Sequence, residues 1–474
     1  MYLPFKIFQK YIPVAFGMLA GCLLISGCQT KEESAKQRPN ILLINIDDMG
    51  WRDVGFMGSE FYETPNLDAL AADGMILTNA YATAANCAPS RACMMSGQWT
   101  PRHGIYTVSN SDRGKSKDRK LIPIPNNTVL PDSQYILTEA MKDAGYVTCH
   151  AGKWHLNDDP ATQGFDVNIG GCHAGSPGSY YPPYKNVPLT PPSDDYYLTN
   201  LVMDKTLKFL NTVENKPFFL YYSPYAVHSP IQAVKNLLPK YWDKPAWNGQ
   251  NNAEYATMVE NLDIQIGRMI DNLKESGKLD NTFILFISDN GGPYYITKQW
   301  PLRAGKGSYY EGGIREPMFA YWKDEIPAGS KSDLPVTNLD FYPTILEAAG
   351  IPKPAAKTLD GNSILPVLLG RGEINQRPLF WHFPVYLQNG NKETQDYLFR
   401  TRPGSAIRLS DWKLIQYFEN NELELYNLKE DIGEQHNLAD TETAKKEELL
   451  KILERWRNDT NAPVPTELNP EYEK

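Results

Sequence analysis

The sequence predicts an α/β protein: a large domain with a mostly parallel central sheet flanked by helices, and a smaller C-terminal α+β domain with a short antiparallel sheet. Three observations predict it. Short apolar runs such as Ile41-Leu42-Leu43-Ile44-Asn45-Ile46 and Phe218-Phe219-Leu220-Tyr221-Tyr222 lack polar alternation, and so suit strands covered on both faces. These runs alternate with segments of helical spacing, the order of a parallel sheet with crossover helices. After about residue 375 the pattern changes to short runs joined by tight polar turns. A chain of 474 residues also exceeds one typical core.

The first element is a targeting segment. Lys6 and Lys10 form a basic start, and an apolar run follows over about residues 11–25. It is shorter than the roughly 20 residues a membrane-spanning helix needs. It ends in Ile25-Ser26-Gly27-Cys28, which resembles a bacterial lipobox. That resemblance implies cleavage before Cys28 and lipidation of its sulfur. It implies a membrane anchor and a place in the bacterial cell envelope, on the periplasmic side or at the cell surface. Lys31-Glu32-Glu33 resembles the acidic export tags of Bacteroidetes surface lipoproteins. The expected division is a signal peptide over 1–27, a tether over 28–38, a catalytic domain over 39–375 and a C-terminal subdomain over 376–474.

Residues 40–46 read as a buried strand that stops at Asp47-Asp48. Residues 65–74 read as a helix with Leu67, Leu70 and Ala71 facing a core. In Cys87-Ala88-Pro89-Ser90-Arg91, Pro89 predicts a helix start with Cys87 just ahead of it, since proline suits the first helical position. A short helix over 137–144, a strand over 146–150 and a strand over 218–222 follow. Residues 254–274 form the clearest helix, with Met258, Leu262, Ile266, Ile270 and Leu273 on one face. Residues 282–287 read as a buried strand ending at Ser288-Asp289-Asn290-Gly291-Gly292, and 340–349 as a helix. Runs at 406–409, 412–417 and 423–428 suit a small antiparallel sheet, closed by a helix over 442–457 with Leu449, Leu453 and Trp456 on one face. A net charge of −9 argues against a nucleic-acid partner, which needs a basic face.

Ligands of open α/β sheets bind at the carboxyl ends of the strands. Four such ends carry reactive residues here: Asp47-Asp48, Lys153 with His155, His228, and Asp289-Asn290. Adjacent carboxylates repel unless something positive lies between them. Asp47, Asp48, Asp289 and Asn290 supply hard oxygens, which favour Ca²⁺ or Mg²⁺ over zinc. Lys153 and His155 would share a face if extended. Cys87 at a helix start, beside Arg91, suits attack on an anionic ester, because the first helical turn presents free N–H donors. Lys306 follows Arg303 in a segment whose glycines allow close backbone approach.

Cys87-x-Pro-Ser-Arg closely resembles the signature of type I sulfatases, in the alkaline phosphatase superfamily. Gly145-Tyr146…Gly152-Lys153-Trp154-His155 and Tyr310-Glu311-Gly312-Gly313-Ile314-Arg315 are similar to further stretches of that family. The resemblance runs from about residue 40 to 428 and extends to Bacteroidetes carbohydrate sulfatases. It implies an alkaline-phosphatase-like fold and oxidation of Cys87 to formylglycine by a sulfatase-maturing enzyme. It implies a calcium ion, with magnesium second, held by Asp47, Asp48, Asp289, Asn290 and the modified Cys87. Arg91 would hold the aldehyde hydrate, and Lys153 the formylglycine and sulfate oxygens. His155 would be the base that releases sulfate. Lys306 and His228 would stabilise or protonate the leaving alcohol. Ser96-Gly97 stands where the family has Thr-Gly, a conservative departure.

With Cys28 lipidated and Cys87 converted, Cys93, Cys149 and Cys172 remain, an odd number that implies no disulfide framework. The substrate expectation is a sulfated glycan, with sulfated galactose or N-acetylgalactosamine favoured. Arg52, His173 and Arg303 are candidate substrate contacts. Aryl or choline sulfates, or a phosphodiester or phosphonate, are the alternatives.

Overall fold

The computed structural model describes residues 10–11, 37–214 and 216–473. The lipobox and Cys28 lie outside the described residues. No helix among the described residues is long and apolar enough to cross a membrane. Residues 38–474 form one compact unit.

The main elements are β1 (Asn40–Ile46), α1 (Pro65–Ala72), β2 (Met75–Leu77), α2 (Cys87–Ser96), α3 (Leu137–Asp143), β3 (Val147–Gly152) and β4 (Val167–Ile169). They continue as α4 (Leu198–Thr212), β5 (Phe218–Ser223), α5 (Ala253–Glu275), β6 (Thr282–Ser288), β7 (Met318–Tyr321), β8 (Ser330–Ser332) and α6 (Phe341–Ala348). The strands form an eight-stranded sheet in the order β8-β2-β7-β6-β1-β5-β3-β4. It is parallel from β6 through β4, while β7 runs antiparallel to both of its neighbours.

The sequence of β1 follows from its central place between β6 and β5. Its alternate side chains enter two different cores, so both sets must be apolar. Leu42, Ile44 and Ile46 pack with Leu67 of α1, Leu201 of α4 and Leu262 and Ile266 of α5. Ile41 and Leu43 pack on the other side with Met94 of α2, Leu137 of α3 and Ile345 of α6. Truncating one such leucine to alanine costs about 2–5 kcal/mol.

The C-terminal sheet is antiparallel, in the order β9 (Leu379–Phe383), β10 (Gly404–Leu409), β11 (Trp412–Tyr417), β12 (Glu422–Asn427). Helix α7 (Thr443–Thr460) lays Leu449, Leu453 and Trp456 onto Ile407, Leu414 and Leu425. Trp456 stacks on Phe380 with ring centroids 4.6 Å apart.

Three local differences from the sequence reading have clear causes. Helix α2 begins at Cys87, so Pro89 occupies its third position; the first four helical N–H groups have no intrahelical partner, so proline costs nothing there either. Helix α4 and strand β9 add elements the sequence pattern left unassigned. The segment after β3 is not extended at His155, whose φ is 66°. The four described cysteines, Cys87, Cys93, Cys149 and Cys172, are free thiols.

Candidate active site at the carboxyl ends of the strands

Asp47 and Asp48 leave the carboxyl end of β1, and Asp48 takes a left-handed φ of 63°, a region aspartate tolerates better than most residues. The two carboxylates therefore meet different partners. Lys153 Nζ lies 2.9 and 2.8 Å from the two Asp47 oxygens. Lys306 Nζ lies 2.5 Å from Asp48 Oδ1.

Cys87 and Arg91 are one helical turn apart and share a face of α2. Arg91 fastens several strand ends together. Its Nε donates to Asp289 Oδ2 beyond β6 at 2.7 Å, and its Nη1 to the Lys153 carbonyl beyond β3 at 2.7 Å. Nη1 also donates to Ser223 at the end of β5, while Nη2 lies 3.8 Å from Asp47 Oδ1. Cys87 Sγ then faces Lys306 Nζ at 3.1 Å and Asp48 Oδ1 at 3.8 Å.

These groups are buried, and burial sets their chemistry. It pushes the Cys87 thiol up to about 12 despite Lys153 and Lys306 nearby. Burial alone would raise the Asp48 carboxyl too, but Lys306, His228 and Lys153 outweigh it and hold it well below the usual range. Asp289 rises to about 6, through burial opposed by Arg91. Three carboxylates (Asp47, Asp48, Asp289) face three cations (Arg91, Lys153, Lys306).

His228 Nδ1 lies 2.6 Å from the Ser229 carbonyl, which can only accept, so Nδ1 carries the proton of the neutral ring. Burial lowers this ring to about 4. Its Nε2 lone pair faces Asp48 Oδ2 at 3.6 Å, which is favourable with a cation between them. His155 is driven well below its ordinary value by burial, then by Lys153 and Arg91, and its buried Nδ1 has no partner.

The residues fit a hard divalent cation. Ligand atoms of Asp47, Asp48, Cys87 and His228 all lie within 4.8 Å of one another. Asn290 donates to Asp48 Oδ1 at 2.8 Å and keeps a buried Oδ1 with no partner. Carboxylate and amide oxygens in this density are calcium or magnesium chemistry.

Thus Asp47, Asp48, Cys87, Arg91, Lys153, His228, Asp289, Asn290 and Lys306 come together. His155 lies under the loop that carries Gly175, where an added Cβ would fall 2.5 Å from its ring, and within reach of the charges of Lys153, Arg91 and Lys306. His173 lies beside it, with ring centroids 6.2 Å apart, its Nε2 3.0 Å from the Thr128 carbonyl. Arg303 is turned towards the C-terminal region. Its guanidinium covers the Tyr310 ring at 3.7 Å, its Nε donates to the Glu393 carbonyl, and its Nη1 donates to the Glu434 carbonyl and the Tyr426 hydroxyl. Arg52 stays away from the cluster, among Trp51, Trp247 and Trp300 at 5.2–5.7 Å. Sequence reasoning missed Ser223, which no motif marks, and Arg400, whose Nη1 lies 3.3 Å from the Lys306 carbonyl.

Comparison with known proteins points to one family. The sulfatase family profile matches residues 39–351, and the N-sulphoglucosamine sulphohydrolase C-terminal profile matches 305–459. The N-acetylgalactosamine-6-sulfatase of Canis lupus familiaris is 32% identical over 76% of this chain and 71% of its own. A sulfatase of Formosa agariphila is 33% identical over 95% of this chain and 94% of its own. The crystal structure of Ps i-CgsB in complex with k-i-k-neocarrahexaose superposes with a TM-score of 0.75 at 29% identity, over 91% of this chain and 95% of that one.

Proposed function

The chain belongs to the sulfatase family, and from that membership we propose that it removes sulfate from a sulfated carbohydrate, with sulfated N-acetylgalactosamine or galactose as the favoured sugar. The observation that carries this is Cys87 at the first position of α2, with Lys306 Nζ 3.1 Å from its sulfur. The similarity to N-acetylgalactosamine-6-sulfatases, and to Ps i-CgsB solved in complex with k-i-k-neocarrahexaose, supports a sugar substrate. The proposal includes conversion of Cys87 to formylglycine by a maturing enzyme, calcium as the metal, and anchoring in the bacterial envelope through Cys28.

When present, the hydrated aldehyde at Cys87 and the calcium ion supply the attacking hydroxyl and a charge clamp. Asp47, Asp48, Asp289 and Asn290 would hold the metal. Arg91 fixes Asp289 and the strand ends, so the geometry is set before substrate arrives. Lys306 Nζ, beside residue 87, binds the ester oxygens and stabilises charge on the departing one. His228 exposes an unprotonated Nε2, because Nδ1 is committed to the Ser229 carbonyl, so it must first take up a proton at Nε2 before passing it to the leaving oxygen. His155, neutral and with a free Nδ1, accepts the proton whose loss accompanies sulfate release.

The test is release of free sulfate from a panel of defined sulfated sugars, with an aryl sulfate, choline sulfate and a phosphate diester alongside. Turnover of the sugars is expected. Turnover of the aryl or choline ester alone, or of the phosphate ester in preference, overturns the proposal.

A further inference from the structure

Arg113, on a loop, and Arg400, in the short strand Phe399–Thr401, are distant in sequence and meet on one residue. Arg400 Nε donates to the Gln388 carbonyl at 3.0 Å, and Arg113 Nε to the Gln388 Oε1 at 3.1 Å. Gln388 lies in a short antiparallel pairing with Phe399, at a shift of register next to Leu387.

The pair adjoins the reaction centre. The stem of Arg400 lies over Gly307, where an added Cβ would fall 2.5 Å from Arg400 Cδ. Gly307 follows Lys306, and its N–H bonds to the Ala85 carbonyl at 2.8 Å, two residues before Cys87. The Arg400 Nη1 lies 3.3 Å from the Lys306 carbonyl.

Both guanidiniums have donors to spare. Among the described residues, neither Nη2 has a protein hydrogen-bond partner and neither arginine pairs with a carboxylate. Arg402, two residues on, is saturated by contrast: Asp396, Glu419 and Glu422 lie 2.9–3.6 Å from it. Burial depresses both Arg113 and Arg400; Arg113 further depresses Arg400, and Asp48 and Tyr295 oppose that. Asp48 is already bonded to Lys306 and Asn290. Two partly buried like charges without a counter-ion repel, and a planar fork of unused N–H donors matches an oxyanion.

We propose that Arg113 and Arg400, spanned by Gln388, form a subsite for a second acidic group of the sugar substrate, a sulfate on the same ring or a carboxylate on the next. The subsite makes the enzyme selective for a multiply charged glycan. It rests on the carbohydrate reading above.

The experiment compares N-acetylgalactosamine 6-sulfate, N-acetylgalactosamine 4,6-disulfate and a uronic acid linked to N-acetylgalactosamine 6-sulfate. Sulfate release gives kcat/KM for wild type, Arg113→Gln and Arg400→Gln. Calorimetry on Cys87→Ala protein, with and without each arginine substitution, gives Kd without turnover. One doubly charged sugar is expected to exceed the monosulfate by about tenfold or more in both kcat/KM and 1/Kd, the scale of one charge-assisted contact. Each substitution should bring that ratio towards one. Preference for the disulfate assigns a second sulfate, and preference for the uronate assigns a carboxylate. A wild-type ratio near one, or a ratio that survives both substitutions, overturns the subsite. If no sugar is turned over but the Kd preference exists and vanishes with Arg113→Gln, the reaction reading falls and the subsite stands. Arg113 lies on a peripheral loop, so its variant gives the readout even if Arg400→Gln misfolds.

Discussion

A single ammonium joins Lys306 to both halves of the active centre: its Nζ is 2.5 Å from Asp48 Oδ1 and 3.1 Å from Cys87 Sγ. Replacing Lys306 with alanine removes a donor aimed where charge develops. The expected loss in kcat is on the order of 10²–10³, measured as sulfate release per mole of converted protein. A variant within threefold of wild type would refute the role given to Lys306.

Cys87 is 1% exposed and its thiol is raised to about 12 by burial, so unconverted protein keeps a protonated, inert sulfur at neutral pH. Iodoacetamide at pH 8 should leave Cys87 unalkylated until the chain is denatured. Peptide mass spectrometry of protein from its maturing host should show the aldehyde. Rapid alkylation of the folded chain would contradict the burial argument.

Asp47 and Asp48 spend their oxygens on Lys153 and Lys306, and a divalent cation competes for the same atoms. Chelation is expected to abolish sulfate release and lower Tm, with calcium restoring both. Asn290→Ala should raise the calcium concentration needed for half-recovery by about tenfold, since it removes one hard oxygen and one bond to Asp48. Full activity in chelator would exclude the metal.

The segment that carries Lys306 is clamped to the C-terminal sheet by buried charge. Lys413 Nζ lies 2.9 Å from Glu311 Oε1 and 2.8 Å from Glu434 Oε1, with all three side chains fully buried. Lys413→Met leaves two buried carboxylates facing each other and should cost about 3–5 kcal/mol, read by denaturant unfolding. A change below 1 kcal/mol would show that the clamp contributes little.

Three buried histidines set the acid limit of the fold. Burial lowers His103, His150 and His382 to about 3 each, so all three stay neutral in the folded chain. The unfolded chain protonates them near pH 6.5. Their stabilisation is therefore complete above about pH 6.5 and declines as the pH falls towards 3, each contributing a slope of up to ~1.4 kcal/mol per pH unit. Unfolding free energy measured across that window should fall with acid, and His382→Gln should flatten the fall. A pH-independent stability would contradict this.

The sequence was legible where one residue's neighbours in the chain decide its fate. β1 reads as a buried strand because both of its faces meet a core, and Asp47-Asp48 and Asp289-Asn290 read as a site because they end such strands. Helix α4 has the apolar spacing of Leu198, Leu201, Val202 and Phe209, but Tyr197 ahead of it makes no side-chain cap to mark its start. Arg303 lies in a loop and Arg400 in the three-residue strand Phe399–Thr401, and only tertiary contacts give one to Glu393 and Glu434 and leave the other beside Lys306. Arg113 and Arg400 are 287 positions apart (400 − 113), a separation no local pattern bridges.

The burial of Cys87 sets a clock. The groups that close over its sulfur come late in synthesis: Asp289 and Lys306, then the Glu434 that clamps the Lys306 segment through Lys413. Chemistry that alters Cys87 must reach it while the chain from Asp289 onwards is still being made or has not yet docked. A chain that folds too quickly would lock in a plain thiol, so if activity needs the conversion proposed above, slow closure of the C-terminal sheet becomes a condition for it.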